Sequence, residues 1–208
     1  MPRNPHTTAL RRLAAADPIL AAALTTCGLP PPRNREPGFA SLVRIIVGQQ
    51  VSTASAMALW ARLTAGVTPF TPEAVMRCNE EQLRALGLSR QKAAYTLGLA
   101  REIVEGRLDL ERLHALDDEA AILEITRIKG LGRWSAEIYL LFALQRPDIW
   151  PAGDLALQVG MQHLRGLRKR PDPERMIKLA EAWRPYRGAA AHFLWHYYAK
   201  APFRASER

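Results

Sequence analysis

The chain has 208 residues, 48% hydrophobic and 24% charged, a globular composition that excludes disordered and collagen-like classes. Its net charge of +9 points to a polyanionic partner, although solubility alone also accounts for a basic surface. Two cysteines, Cys27 and Cys78, are too few for a disulfide scaffold, a four-cysteine zinc site or an iron–sulfur cluster, and read as reduced thiols of a cytoplasmic protein.

At the N-terminus, Arg3, Arg11 and Arg12 precede the alanine-rich residues 21–24. Asp17-Pro18 breaks this stretch too early for a secretion signal, and reads as a helix N-cap with proline at the first helical position. No apolar run approaches the roughly 20 residues that cross a bilayer, so no membrane association is expected. Apolar residues then recur at helical spacing over 39–47, 54–63, 93–104, 122–128, 136–144 and 189–198. Thr71, Asn79, Ser89, Asp117 and Asp172 sit where N-caps belong, and Gly87 and Gly106 where helices stop. The pattern predicts an all-α protein of about ten short helices in two helical lobes with a cleft between them. The basic stretch 165–170 reads as a solvated loop, and 205–208 as a frayed tail after a single domain over 1–204.

Between two amphipathic helices lies Ile128-Lys129-Gly130-Leu131-Gly132-Arg133-Trp134. The glycines permit a tight turn, and the following helix start would leave outward N–H groups suited to a phosphate, with Lys129 and Arg133 adding charge. A plain hairpin between helices would look the same.

This segment resembles the hairpin of the helix-hairpin-helix DNA glycosylases. Some twenty residues on, Pro151-Ala-Gly-Asp154 resembles their Pro-x-x-Asp element. Ile46-Val-Gly-Gln-Gln-Val-Ser52, Leu86-Gly-Leu-Ser-Arg-Gln-Lys-Ala93, Trp183-Arg-Pro-Tyr-Arg187 and Trp195 are similar to the 3-methyladenine DNA glycosylase II branch, in a compact form without its N-terminal β-rich domain. The resemblance covers roughly residues 10 to 200. It implies a base-excision-repair enzyme of the bacterial cytoplasm and nucleoid, a monomer acting on double-stranded DNA that contains alkylated bases.

For the residues, the resemblance implies the following roles. Asp154 is catalytic, a carboxylate beside the sugar carbon C1′; on the residues alone it is equally an N-cap. Trp134, Trp195, Tyr139 and Ile138 belong to the base pocket, with Tyr186 a further aromatic candidate. Aromatic faces there would hold a cationic purine, and the family's pocket tyrosine falls on Ile138. Gln50 matches the residue that fills the gap left by an extruded base, with Gln49 and Ser52 nearby for groove or phosphate contact. On residues alone, this is a polar turn capped by Ser52. Lys129, Gly130, Leu131, Gly132 and Arg133 contact DNA. Bifunctional members carry a lysine nucleophile where this chain has Trp134, so no lyase activity is expected. No cofactor is required, although carbonyls of Thr126, Ile128 and Leu131 would hold a monovalent cation or magnesium. His192 and His196 stand four apart but lack a third metal ligand. The competing readings are a cluster-free glycosylase for uracil, deaminated or mismatched bases, a helix-hairpin-helix module that only binds DNA, and a protein-binding helical domain.

Overall fold

The computed structural model describes residues 6–200, so Arg3 and the tail expected at 205–208 lie outside the described residues. The architecture is all-α. The described residues hold thirteen α-helices and one 3₁₀ turn rather than about ten helices, the excess coming from four- to six-residue elements. The described backbone divides into two compact units, one from residues 6–34 and 145–200 and the other from 35–144.

In the first unit, α1 (His6–Ala16) and α2 (Pro18–Cys27) meet at Asp17, whose carboxylate caps α2 by accepting from Leu20 N at 3.1 Å. Residues 35–144 belong to the second unit. The chain then returns with α11 (Leu155–Leu164), α12 (Pro173–Ala180), the 3₁₀ turn Glu181–Trp183 and α13 (Arg187–Lys200). Gly160 lets α11 and α13 cross closely, since a Cβ there would lie 3.2 Å from Leu194 O. Leu10, Leu20, Met161, Phe193 and Leu194 fill the core.

Asp17 does more than cap. Trp183 Nε1 donates to its Oδ2 at 2.9 Å, and Arg165 forms a two-pronged ion pair with it. Burial opposes this charge, but the bonds from Arg165, Trp183 and Leu20 together outweigh it and hold the carboxyl pKa below its usual value. Arg165 is therefore not part of a solvated loop, a correction to the reading of 165–170.

The second unit consists of α3 (Phe39–Gly48), α4 (Thr53–Gly66), α5 (Pro72–Met76), α6 (Glu80–Ala85), α7 (Arg90–Val104), α8 (Arg112–Ala115), α9 (Asp118–Thr126) and α10 (Arg133–Phe142). The expected caps are in place: Thr71, Asn79, Ser89 and Asp117 each accept from a backbone N–H in the first turn. Gly87 and Gly106 follow α6 and α7 at φ 103° and 71°. Helix α3 packs against α4, α7 and α10, burying Leu42, Ile46, Leu99 and Leu140 among them.

Candidate nucleic-acid and catalytic residues

Asp154 is the N-cap of α11. Its Oδ1 accepts from Leu157 N at 2.9 Å and from Trp195 Nε1, on α13, at 3.1 Å. The sequence dictates the first bond, because Asp before Leu-Ala-Leu-Gln starts a helix. The second needs α13 packed on α11. Two donors on one oxygen fix the plane of this half-buried carboxylate.

The hairpin joins α9 to α10. Leu131 is buried and its N–H donates to Ile128 O at 3.0 Å, closing the turn. Gly130 has φ 96°, and a Cβ there would meet the Tyr95 ring at 2.3 Å. Gly132, the N-cap of α10, is different: its φ is −86° and an added Cβ meets nothing within 4 Å. Its lack of a side chain is not required by the protein interior. No side chain caps the first turn of α10, and amides left free at a helix start are the ordinary arrangement for receiving an anion.

Several side chains expected at DNA are tied to the protein. Arg133 donates to both Glu119 oxygens at 2.9 and 2.6 Å and to Glu137 Oε1 at 3.0 Å, linking α9 to α10. The bond from Arg133 lowers the Glu119 pKa. The guanidinium charge of Arg133 is therefore already shared within the protein. Gln49 Nε2 donates to Gly130 O at 2.9 Å and to Ser135 Oγ at 3.3 Å, so its amide is turned to the hairpin rather than outward. Ser52 caps α4, accepting from Ser55 N at 3.1 Å. Gln50 and Lys129 are exposed, and Gln50 is in the left-handed region at φ 55°. For a non-glycine residue that conformation costs about 1 kcal/mol, and it persists only where the surroundings hold it.

A cavity of about 210 Å³ in the second unit is lined by Trp134, Ile138, Val51, Met57, Arg35 and Arg44. Trp134 is 37% exposed and Met57 61%. The guanidinium groups of Arg35 and Arg44 lie over the rings of Phe142 and Trp60, at 5.6 and 5.8 Å. Tyr139 does not line this cavity, a correction with a simple cause. Residues 134 and 138 share one face of α10, whereas 139 lies about 100° further round. Tyr139 is 1% exposed, and its hydroxyl accepts from Gly38 N at 2.9 Å. Burial raises its pKa.

The model of the HhH-GPD superfamily of base excision DNA repair proteins matches residues 43–185. The chain belongs to this superfamily. It is 34% identical over 167 residues to DNA-3-methyladenine glycosylase 1 of Schizosaccharomyces pombe, covering 78% of this chain and 72% of the relative. A solved structure of the S. pombe 3-methyladenine DNA glycosylase with abasic DNA superimposes with a TM-score of 0.86 at 31% identity, covering 94% of this chain and 98% of that one. The DNA-3-methyladenine glycosidase of Bacillus halodurans gives 0.78 at 31% identity, covering 97% and 91%.

Within this HhH-GPD chain, the structure brings the hairpin, Gln49 and Gln50 around one cavity of about 410 Å³ in the second unit. It brings Asp154 and Trp195 together in the first. Lys92 and Tyr95 also line the hairpin cavity, and sequence reasoning assigned them no role. Lys92 lies inside the recognised element 86–93, the signal that could have found it. Tyr186 receives a hydrogen bond from Arg12, whose guanidinium lies 5.6 Å from its ring centroid. His196 Nε2 pairs with Cys27 O at 2.9 Å, and His192 stacks on His6 at 4.0 Å. Among the described residues, no group of three or more His, Cys, Asp or Glu side chains could hold a metal. The hairpin carbonyls of Thr126, Ile128 and Leu131 are neutral oxygen donors of the kind hard cations take. Ile128 O already accepts one turn bond, which leaves its second lone pair.

Proposed function

We propose that this HhH-GPD protein is a monofunctional DNA N-glycosylase releasing alkylated purines, including 3-methyladenine and 7-methylguanine, from double-stranded DNA. The observation that carries the reading is Asp154, a carboxylate fixed by bonds from Leu157 N and Trp195 Nε1 in a chain with tryptophan at 134. The names of its relatives agree in reaction class.

Glycosylases act on a nucleotide extruded from the stack. The C1′–N bond breaks, its electron pair leaves with the base, and the sugar gains oxocarbenium character. Alkylation makes the purine cationic, so it departs as a neutral molecule. Asp154 stabilises the positive sugar, and water adds to C1′ and passes its proton to the Asp154 carboxylate, which returns it to solvent. Its orientation by Trp195 keeps the negative charge in place without reorganisation. Trp134 and Ile138 contact the base, the indole presenting a face worth up to about 2 kcal/mol to a desolvated cation. Trp134 has no amine to attack C1′, so no Schiff base forms and the abasic strand stays intact.

The amides at the start of α10, which no side chain caps, and the charge of Lys129 hold the DNA backbone, while Gln50 fills the gap in the stack. The carbonyls of Thr126, Ile128 and Leu131 would hold a monovalent cation or magnesium, adding positive charge beside that phosphate.

Methylated duplex DNA incubated with the protein should yield free methylpurines and alkali-labile sites, with no borohydride-trapped adduct. Release of uracil in place of methylpurines favours the deaminated-base alternative. No release of either leaves a DNA-binding module.

A further inference from the structure

The exposed, left-handed Gln50 directly follows a residue that is anchored to the hairpin. Gln49 caps the C-terminus of α3 with φ −63° and ψ 130°, and its side-chain amide donates to Gly130 O at 2.9 Å and Ser135 Oγ at 3.3 Å. Gly130 is the glycine with φ 96°, and Ser135 lies in the first turn of α10. One amide thus bridges the end of α3, the turn of the hairpin and the start of α10.

Helix α7 holds the same three parts from the other side. Lys92 Nζ donates to Val47 O at 2.7 Å, fixing the last turn of α3, and desolvation lowers the Lys92 pKa. One turn on, the Tyr95 ring occupies the space where a Cβ of Gly130 would stand. Its hydroxyl pairs with Gln91 at 2.6 Å. The C-terminus of α3 and the hairpin are therefore referenced to one rigid helix and cross-linked to each other by Gln49.

We propose that Gln49 is a positioning residue that couples the stack-filling Gln50 to the phosphate-gripping hairpin, so that grip and gap-filling act as one unit. The chain leaves Gln49 extended and enters the left-handed region at Gln50. A freely rotating residue 49 would leave the direction of the Gln50 side chain undefined relative to the bound phosphate. With the amide fixed on Gly130 O, that direction is set as soon as the hairpin engages the backbone. The proposal rests on the glycosylase reading only through the role of Gln50.

The test is a double-mutant cycle on binding. The readout is the preference for a duplex with one tetrahydrofuran abasic site over the same undamaged duplex. Gln50→Gly removes the side chain and tolerates the left-handed backbone. Gln49→Ala removes the bridge, and Gln49→Glu keeps its length while replacing the donor with an acceptor, so that it cannot bond Gly130 O. Each single variant should lower the preference about tenfold at unchanged Tm, and the double variant no further than either single one. Multiplicative losses near a hundredfold would overturn the proposal, showing that Gln49 acts independently of Gln50. An unchanged preference in either Gln50→Gly or Gln49→Glu would overturn it too. Failure of the wild type to release methylpurines would instead sink the glycosylase reading, and the binding cycle would still report the coupling.

Discussion

Trp195 and Asp154 form the hydrogen-bonded pair on which the proposed chemistry turns. Replacing Trp195 with phenylalanine keeps an aromatic body on α13 and removes its indole N–H bond to Asp154. A hydrogen bond to a charged group is worth about 1.5–3 kcal/mol, so turnover should fall at least tenfold with little change in Tm. An unchanged rate would mean that the Leu157 amide alone orients the carboxylate. The two hairpin glycines should part company. Gly130→Ala forces a Cβ into the Tyr95 ring at an unfavourable φ and should destabilise the fold by about 2 kcal/mol or more, seen as a lower melting midpoint. Gly132→Ala meets no protein atom and should leave the midpoint unmoved while weakening DNA binding several-fold. The cap at Asp154 was legible in the sequence because Asp before Leu-Ala-Leu-Gln starts a helix. Gln49, Arg133 and Tyr139 were not, because Gly130, Glu119 and Gly38, the groups that engage them, are remote in sequence or are reached through a helical rotation that a motif does not encode.

The elements themselves were easier to read than their joints. Capping residues write helix starts into the chain, and Thr71, Asn79, Ser89, Asp117 and Asp172 all mark them. Short helices such as Arg112–Ala115 escape this reading because they span barely one turn. At this scale the hairpin should dominate non-specific binding. Log K for undamaged duplex should fall with log salt at a slope of about −0.9 per phosphate neutralised, and Lys129→Ala should make the slope shallower by about one such unit. Arg133→Ala should change the slope less, because its guanidinium is already shared by Glu119 and Glu137. A larger change for Arg133 than for Lys129 would show that those ion pairs open when DNA binds.

Across the molecule, the first unit carries an acid-sensitive core. Burial, helped by the nearby charges of His6 and Arg33, lowers the His192 pKa to about 3, and burial also lowers that of His6. In the unfolded chain these imidazoles titrate near their ordinary values. The unfolded state therefore binds more protons below about pH 6.5, and stability is full above that pH and declines as pH falls toward 3. The loss should reach a few kcal/mol at about pH 4, measured as a falling urea midpoint, and His192→Phe should flatten the slope. In the proposed mechanism Asp154 supplies a negative charge to the reaction and not merely a helix cap. Asparagine caps helices as well as aspartate does, so Asp154→Asn separates the two roles. The decisive measurement is single-turnover release of 7-methylguanine from methylated duplex by Asp154→Asn, with Tm and duplex affinity recorded alongside. Release should fall by at least a thousandfold with fold and binding intact; release within a few-fold of wild type would show that Asp154 is only a cap.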